Sequence, residues 1–137
     1  MPRYEVLAHT ADTGIVASGA GLAEAFENAA FGMFDLVFDL SGVLAIEECR
    51  VEVGAESLGE LLVAWLSALL AEAEIRNLAF SRFVVEEPAA RSLRGTAWGG
   101  PSSGLELRGP PVKAVTYHDL AVEQEPGGWR VRVIFDV

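Results

Sequence analysis

Between Ser57 and Asn77 the residues Leu58, Leu61, Leu62, Trp65, Leu66, Leu69, Leu70 and Ala73 fall on one stripe of a helix. Ser57-Leu58-Gly59-Glu60 has the form of a capping box, with serine as N-cap and glutamate three residues on. At about 20 residues this helix is about 30 Å long. Its apolar stripe has to be buried against another element, which constrains the chain to a layered fold. A second helical pattern runs over residues 22–40 through Leu22, Phe26, Ala29, Met33, Phe34 and Val37, with Glu24 in its first turn. Phe26, Phe31, Phe34 and Phe38 read as core, as does Trp65.

Outside these two stretches the pattern is strand-like. Residues 3–8, 14–18, 45–53, 78–86, 92–98, 113–125 and 129–136 all read as strands. Glu125-Pro126-Gly127-Gly128 predicts a hairpin turn. The order strands, helix, strand, helix, strands predicts an α+β fold. The expected form is a two-layer domain, with two helices packed on one face of a largely antiparallel (mixed) sheet. A length of 137 residues suits a single domain spanning 1–137. Residues 99–111 form a long loop rich in glycine and proline, expected to be mobile or functional.

Charge narrows the function classes. Twenty acids against ten bases give a net charge of -10, a poor match to nucleic-acid phosphates. Direct nucleic-acid binding is therefore not expected; a basic partner or a cation is. Cys49 is the only cysteine, which excludes a disulfide framework and a thiolate zinc site, and it reads as a small core residue. There is no secretory pattern at the start, and the greasy stretch at residues 61–71 is too short to cross a bilayer. The expectation is a cytoplasmic protein with no membrane association.

Three polar clusters interrupt apolar strands. His9 and Asp12 lie three apart in a break between strands, where they could ligate a cation or serve turn chemistry. Lys113 is the only lysine among ten cationic side chains. As a compact point charge it differs from the planar fork of arginine, although an edge-strand lysine also blocks sheet pairing. Alternation along 113–125 places Lys113 with Tyr117 and Asp119, and His118 on the other face. Asp136 lies next to Val137, so its carboxylate and a Val137 carboxylate either splay into water or hold a cation. No Ser-His-Asp or Cys-His arrangement and no closely spaced metal motif is present.

These clusters occur in an order that resembles the archease family. The matching segments are Tyr4-Glu5-Val6-Leu7-Ala8-His9-Thr10-Ala11-Asp12-Thr13-Gly14-Ile15, the helix segment Leu61-Leu62-Val63-Ala64-Trp65-Leu66, then Val112-Lys113-Ala114-Val115-Thr116-Tyr117-His118, and Val133-Ile134-Phe135-Asp136-Val137. Pro111 and Gly100 stand where the family usually carries glutamate.

The resemblance implies an accessory protein rather than an enzyme. It would activate the RtcB-type RNA-splicing ligase, promoting its guanylylation and multiple turnover in tRNA splicing or RNA repair. It further implies a divalent metal ion (Ca, Mg or Mn) held by Asp12, Asp136 and Val137, with Lys113 and His9 as further functional residues. Two alternatives are a metal-dependent hydrolase, with Asp12 and Asp136 as ligands and His9 as base, and a chaperone-like modulator of an RNA-modifying enzyme.

Overall fold

The computed structural model describes residues 3–8 and 12–137. Among these described residues eight strands and two helices follow in chain order. They are β1 (Tyr4–Ala8), β2 (Asp12–Gly19), α1 (Leu22–Asp35), β3 (Glu47–Gly54), α2 (Leu58–Arg76), β4 (Leu78–Val85), β5 (Ser92–Pro101), β6 (Ala114–Val115), β7 (Ala121–Glu125) and β8 (Gly128–Asp136). The α+β class and the antiparallel pairing are as expected. The strands, however, divide between two sheets rather than forming one. The larger runs β1-β2-β8-β6, with β7 also pairing β8; the smaller runs β3-β5-β4. Every ladder is antiparallel.

The helices connect the sheets. Helix α1 packs against β2 and β8 of the larger sheet and against β4 of the smaller one. Helix α2 packs on β3 and β5, and on β6 and β7 of the other sheet. Ser57 caps α2 by accepting the Glu60 amide at 3.2 Å, and Asn77 closes it in the left-handed region at φ 54°. Trp65 is fully buried, and its indole N–H donates to the Phe26 carbonyl of α1 at 3.1 Å. One side chain thus fills the core and fixes the two helices to each other. Gly95 faces that indole, and a Cβ there would come within 2.6 Å of it. Cys49 is buried, as expected; burial pushes its thiol pKa up, with Glu72 adding and Arg76 opposing.

Several boundaries differ from the sequence reading: β2 already begins at Asp12, which the sequence pattern puts in a break between strands, because it pairs with β8 from that residue on. Helix α1 stops at Asp35, and a 3-10 turn at Leu40–Gly42 follows, capped by Asp39 accepting the Ser41 amide at 3.0 Å. Two hydrogen bonds from Ser41 hold the Asp39 carboxyl below its ordinary pKa. The stretch 113–125 is broken by a turn in which Asp119 adopts φ 52°. The glycine- and proline-rich segment is tied down: Arg108 N–H donates to Val37 O, Asp39 N–H to Glu106 O, and Ser102 N–H to Asn77 O. Arg108 also pairs with Asp35 at 2.9 Å, and Asp35 accepts the Tyr4 hydroxyl at 2.6 Å.

Candidate functional site

Strand β2 begins at Asp12 and β8 ends at Asp136, and the ladder pairs these two residues directly. Directly opposed residues of an antiparallel pair share a face, with Cβ atoms about 4.5–5.5 Å apart. Their neighbours Thr13 and Phe135 form the next pair and point the other way, towards a core that includes Phe135, Val133 and Ile15. The alternation expected for the last strand therefore holds, with Asp136 and Ile134 opposite the core-facing valines. Ile134 is nonetheless buried on that outer face, because Gly14 opposite it has no side chain and leaves room for it. Asp12 is half-buried and Asp136 exposed.

Lys113 is brought to the same place by backbone bonding. Its N–H donates to the Asp136 carbonyl at 2.7 Å, and Ala114 pairs with Asp136 in β6. Asp12, Asp136 and Ala114 thus form one row across three strands, with Lys113 beside its end. Among the described residues no ion pair within 4.0 Å links Lys113 to either aspartate. Lys113 instead borders an open groove of about 280 Å³ walled by Ser67, Leu70, Ala71 and Glu74 of α2. His9 lies outside the described residues. Val137 is half-buried and packs on the core.

The strand alternation that joined Lys113 to Tyr117 and Asp119 does not extend so far, because β6 ends at Val115. Tyr117 is exposed, and Asp119 lies 3.3 Å from His118 on the surface. Thr116 makes the break: its hydroxyl donates to the Ile134 carbonyl at 2.9 Å and accepts the His118 N–H at 3.3 Å. Threonine hydroxyls commonly organise turns in this way, and that was the available signal. Glu74 beside Lys113 had no such signal, because the contact between α2 and β6 is long-range.

The donor set suits a hard cation. Two carboxylates directly opposed are destabilising without a counter-charge, and oxygen ligands favour Ca²⁺, Mg²⁺ or Mn²⁺. Among the described residues no group of three or more His, Cys, Asp or Glu side chains converges. A cation here would therefore take its remaining ligands from backbone oxygens and water.

Comparison with known proteins identifies the family and the fold. Residues 4–137 match the model of the archease protein family. Protein archease of Methanothermobacter thermautotrophicus is 40% identical over 140 residues, covering 100% of both chains. That of Methanosarcina mazei is 37% identical over 143 residues, covering 98% of this chain and 96% of the other. The solution structure of a Methanobacterium thermoautotrophicum protein superposes with a TM-score of 0.82 at 38% identity, covering 100% of both chains. An archease of Thermotoga maritima, described as a possible chaperone, shares the fold at a TM-score of 0.65 and 21% identity, over 97% of this chain and 96% of that one. Family match, identity and fold agree along the full length: the chain belongs to the archease family.

Proposed function

We propose that this protein is a non-catalytic accessory factor of an RtcB-type RNA-splicing ligase, promoting the ligase's guanylylation and repeated turnover. The observation that carries the reading is the pairing of Asp12 with Asp136, with Lys113 hydrogen-bonded at the same strand end. Those are the residues that the family resemblance singles out. Asp12, Asp136 and a backbone oxygen of Val137 would hold a divalent cation. When bound, the cation would supply a concentrated positive charge at the strand end to which the Lys113 backbone is bonded. Lys113 offers an exposed point charge just ahead of β6, suited to a phosphate or carboxylate of the partner's nucleotide site. The rest of the surface is acidic, with a net charge of -10, which steers the protein towards a basic protein groove rather than towards RNA.

The hydrolase reading has less support. The space beside Lys113 is an open groove against a helix, whereas a hydrolase would need a cleft that encloses substrate next to the cation. No helix among the described residues is long and apolar enough to cross a membrane. The possible-chaperone description of the Thermotoga maritima protein agrees with an accessory role. The test is multiple-turnover ligation by the cognate ligase with and without this protein. Ligation that proceeds past one turnover only when the protein is present supports the proposal. Identical progress curves overturn it.

A further inference from the structure

A second cavity lies on the other side of Glu74 from Lys113. It is a cleft of about 270 Å³ between the C-terminal ends of α1 and α2 and the segment leading to Lys113. Its walls are apolar: Met33, Phe34 and Val37 from α1 and the turn after it, Ala73 and Leu78 from α2 and β4, and Val112. Glu74, Asn77 and Ser102 form its polar edge. Leu70 and Glu74 line both this cleft and the groove of Lys113, so the two are adjacent across one turn of α2.

The surroundings extend the apolar surface. Leu107 is 66% exposed and bridges Phe38, which also lines the cleft. A large exposed apolar side chain beside a preformed apolar cleft marks an interaction surface. The charge at this end is negative. Both nearby arginines are engaged, Arg108 with Asp35 at 2.9 Å and Arg76 with Glu47 at 3.6 Å. Among the described residues Glu74, Glu106 and Asp39 make no ion pair.

We infer that this cleft is the anchoring site for one apolar side chain, leucine or phenylalanine, presented by a basic segment of the protein partner that Lys113 engages. The inference rests on the accessory-factor reading and deepens it by naming what the partner must offer. At about 270 Å³ the cleft falls below the roughly 300–1,000 Å³ of drug-sized ligand sites. It suits a buried hot-spot side chain ringed by polar contacts. Basic residues flanking that side chain would meet Glu74 and Glu106. The anchor would then hold the partner while Lys113, one helical turn away, reaches its nucleotide site.

Two arms test this. In the first, amide NMR follows titration with acetyl-Lys-Leu-Phe-Lys-amide and with acetyl-Glu-Leu-Phe-Glu-amide. The cationic peptide should shift the amides of Ala73, Leu78 and Val112 and bind about tenfold more tightly than the acidic one. Ala73→Met and Ser102→Phe, each confirmed as folded by thermal melting, should abolish the shifts by filling the cleft. Absence of shifts with the unmodified protein overturns the inference, and so does an undiminished response in both filled variants. Toluene shifting these amides while neither peptide does would also overturn it, marking a small-molecule cavity instead. In the second arm, the filled variants should raise the concentration giving half-maximal ligase stimulation by about tenfold. An unchanged concentration overturns the anchoring role. Should the unmodified protein fail to stimulate the ligase at all, the accessory-factor reading falls, and the peptide arm alone decides the cleft.

Discussion

Asp12, the first residue of β2, stands directly opposite Asp136, the last residue of β8. Two carboxylates in that position repel each other, so the pair should respond to a cation more than the rest of the surface does. Calcium is expected to raise the melting temperature, by the equivalent of about 2.7 kcal/mol at a hundredfold excess over Kd. Asp136→Asn should lose most of that rise, yet in chelator be no less stable than the unmodified protein. Calorimetric melts of both proteins with calcium and with chelator check this; an equal calcium response would remove Asp136 from the cation site.

Lys113 is exposed and lies outside the hydrophobic core. Lys113→Ala should change stability by under about 0.5 kcal/mol, as surface substitutions away from special features usually do. It should nonetheless abolish ligase stimulation. Lys113→Arg should impair stimulation as well, since a planar fork does not replace a point charge. Full activity of the arginine variant would show that any cation suffices.

Trp65 is the largest fully buried side chain and bonds α2 to α1. Trp65→Ala is expected to cost about 3–5 kcal/mol, the range for removing a buried aromatic ring. Trp129, only half-buried on β8, should cost distinctly less when changed to alanine. Urea midpoints of the two variants give the comparison, and equal losses would contradict the placement of Trp65 at the core's centre.

Tyr4 donates its hydroxyl to Asp35, and burial, followed by that bond and the charge of Asp35, raises its pKa to about 12. A pKa raised in the folded state stabilises it fully below the unfolded value of about 10. That contribution is lost as pH climbs from about 10 towards 12. The chain has two tyrosines, so Tyr117→Phe leaves Tyr4 as the only phenol to follow by ultraviolet titration. A phenolate midpoint near 12 agrees with the structure; an unshifted midpoint would mean that the contact with Asp35 is absent in solution.

RNA should bind poorly to the isolated protein, because a net charge of -10 gives no counterion-release contribution. Filter binding at physiological salt measures this directly, and submicromolar affinity would revive a direct role on RNA.

Local pattern in the sequence located both helices, the Ser57 cap and the buried Trp65, because periodicity and capping are properties of neighbouring residues. It also located Asp12, Lys113 and Asp136 as interruptions of apolar strands. Pairing is long-range, and there local pattern was silent: nothing in the alternation of residues 45–53 or 92–98 says that β3 and β5 leave the larger sheet. The turn at Thr116–Leu120 was hidden for another reason. Thr116 and Tyr117 favour strands and masked the weaker turn signals of the Thr116 hydroxyl, which bonds to Ile134, and of Asp119, which enters the left-handed region. The segment 99–111 looked free because glycine and proline dominate it. Its order comes from bonds to Val37, Asp39 and Asn77, which are 25 or more residues away in the chain. The candidate site was legible as a list of residues, and the fold supplied its geometry.

The most direct measurement is the rate of guanylylation of the cognate ligase by GTP, taken alone and with this protein or its Asp12→Ala, Asp136→Ala and Lys113→Ala variants. The account predicts a faster rate with the unmodified protein and a rate close to that of the ligase alone with each folded variant. A rate indifferent to the unmodified protein, or equally increased by all three variants, would contradict it.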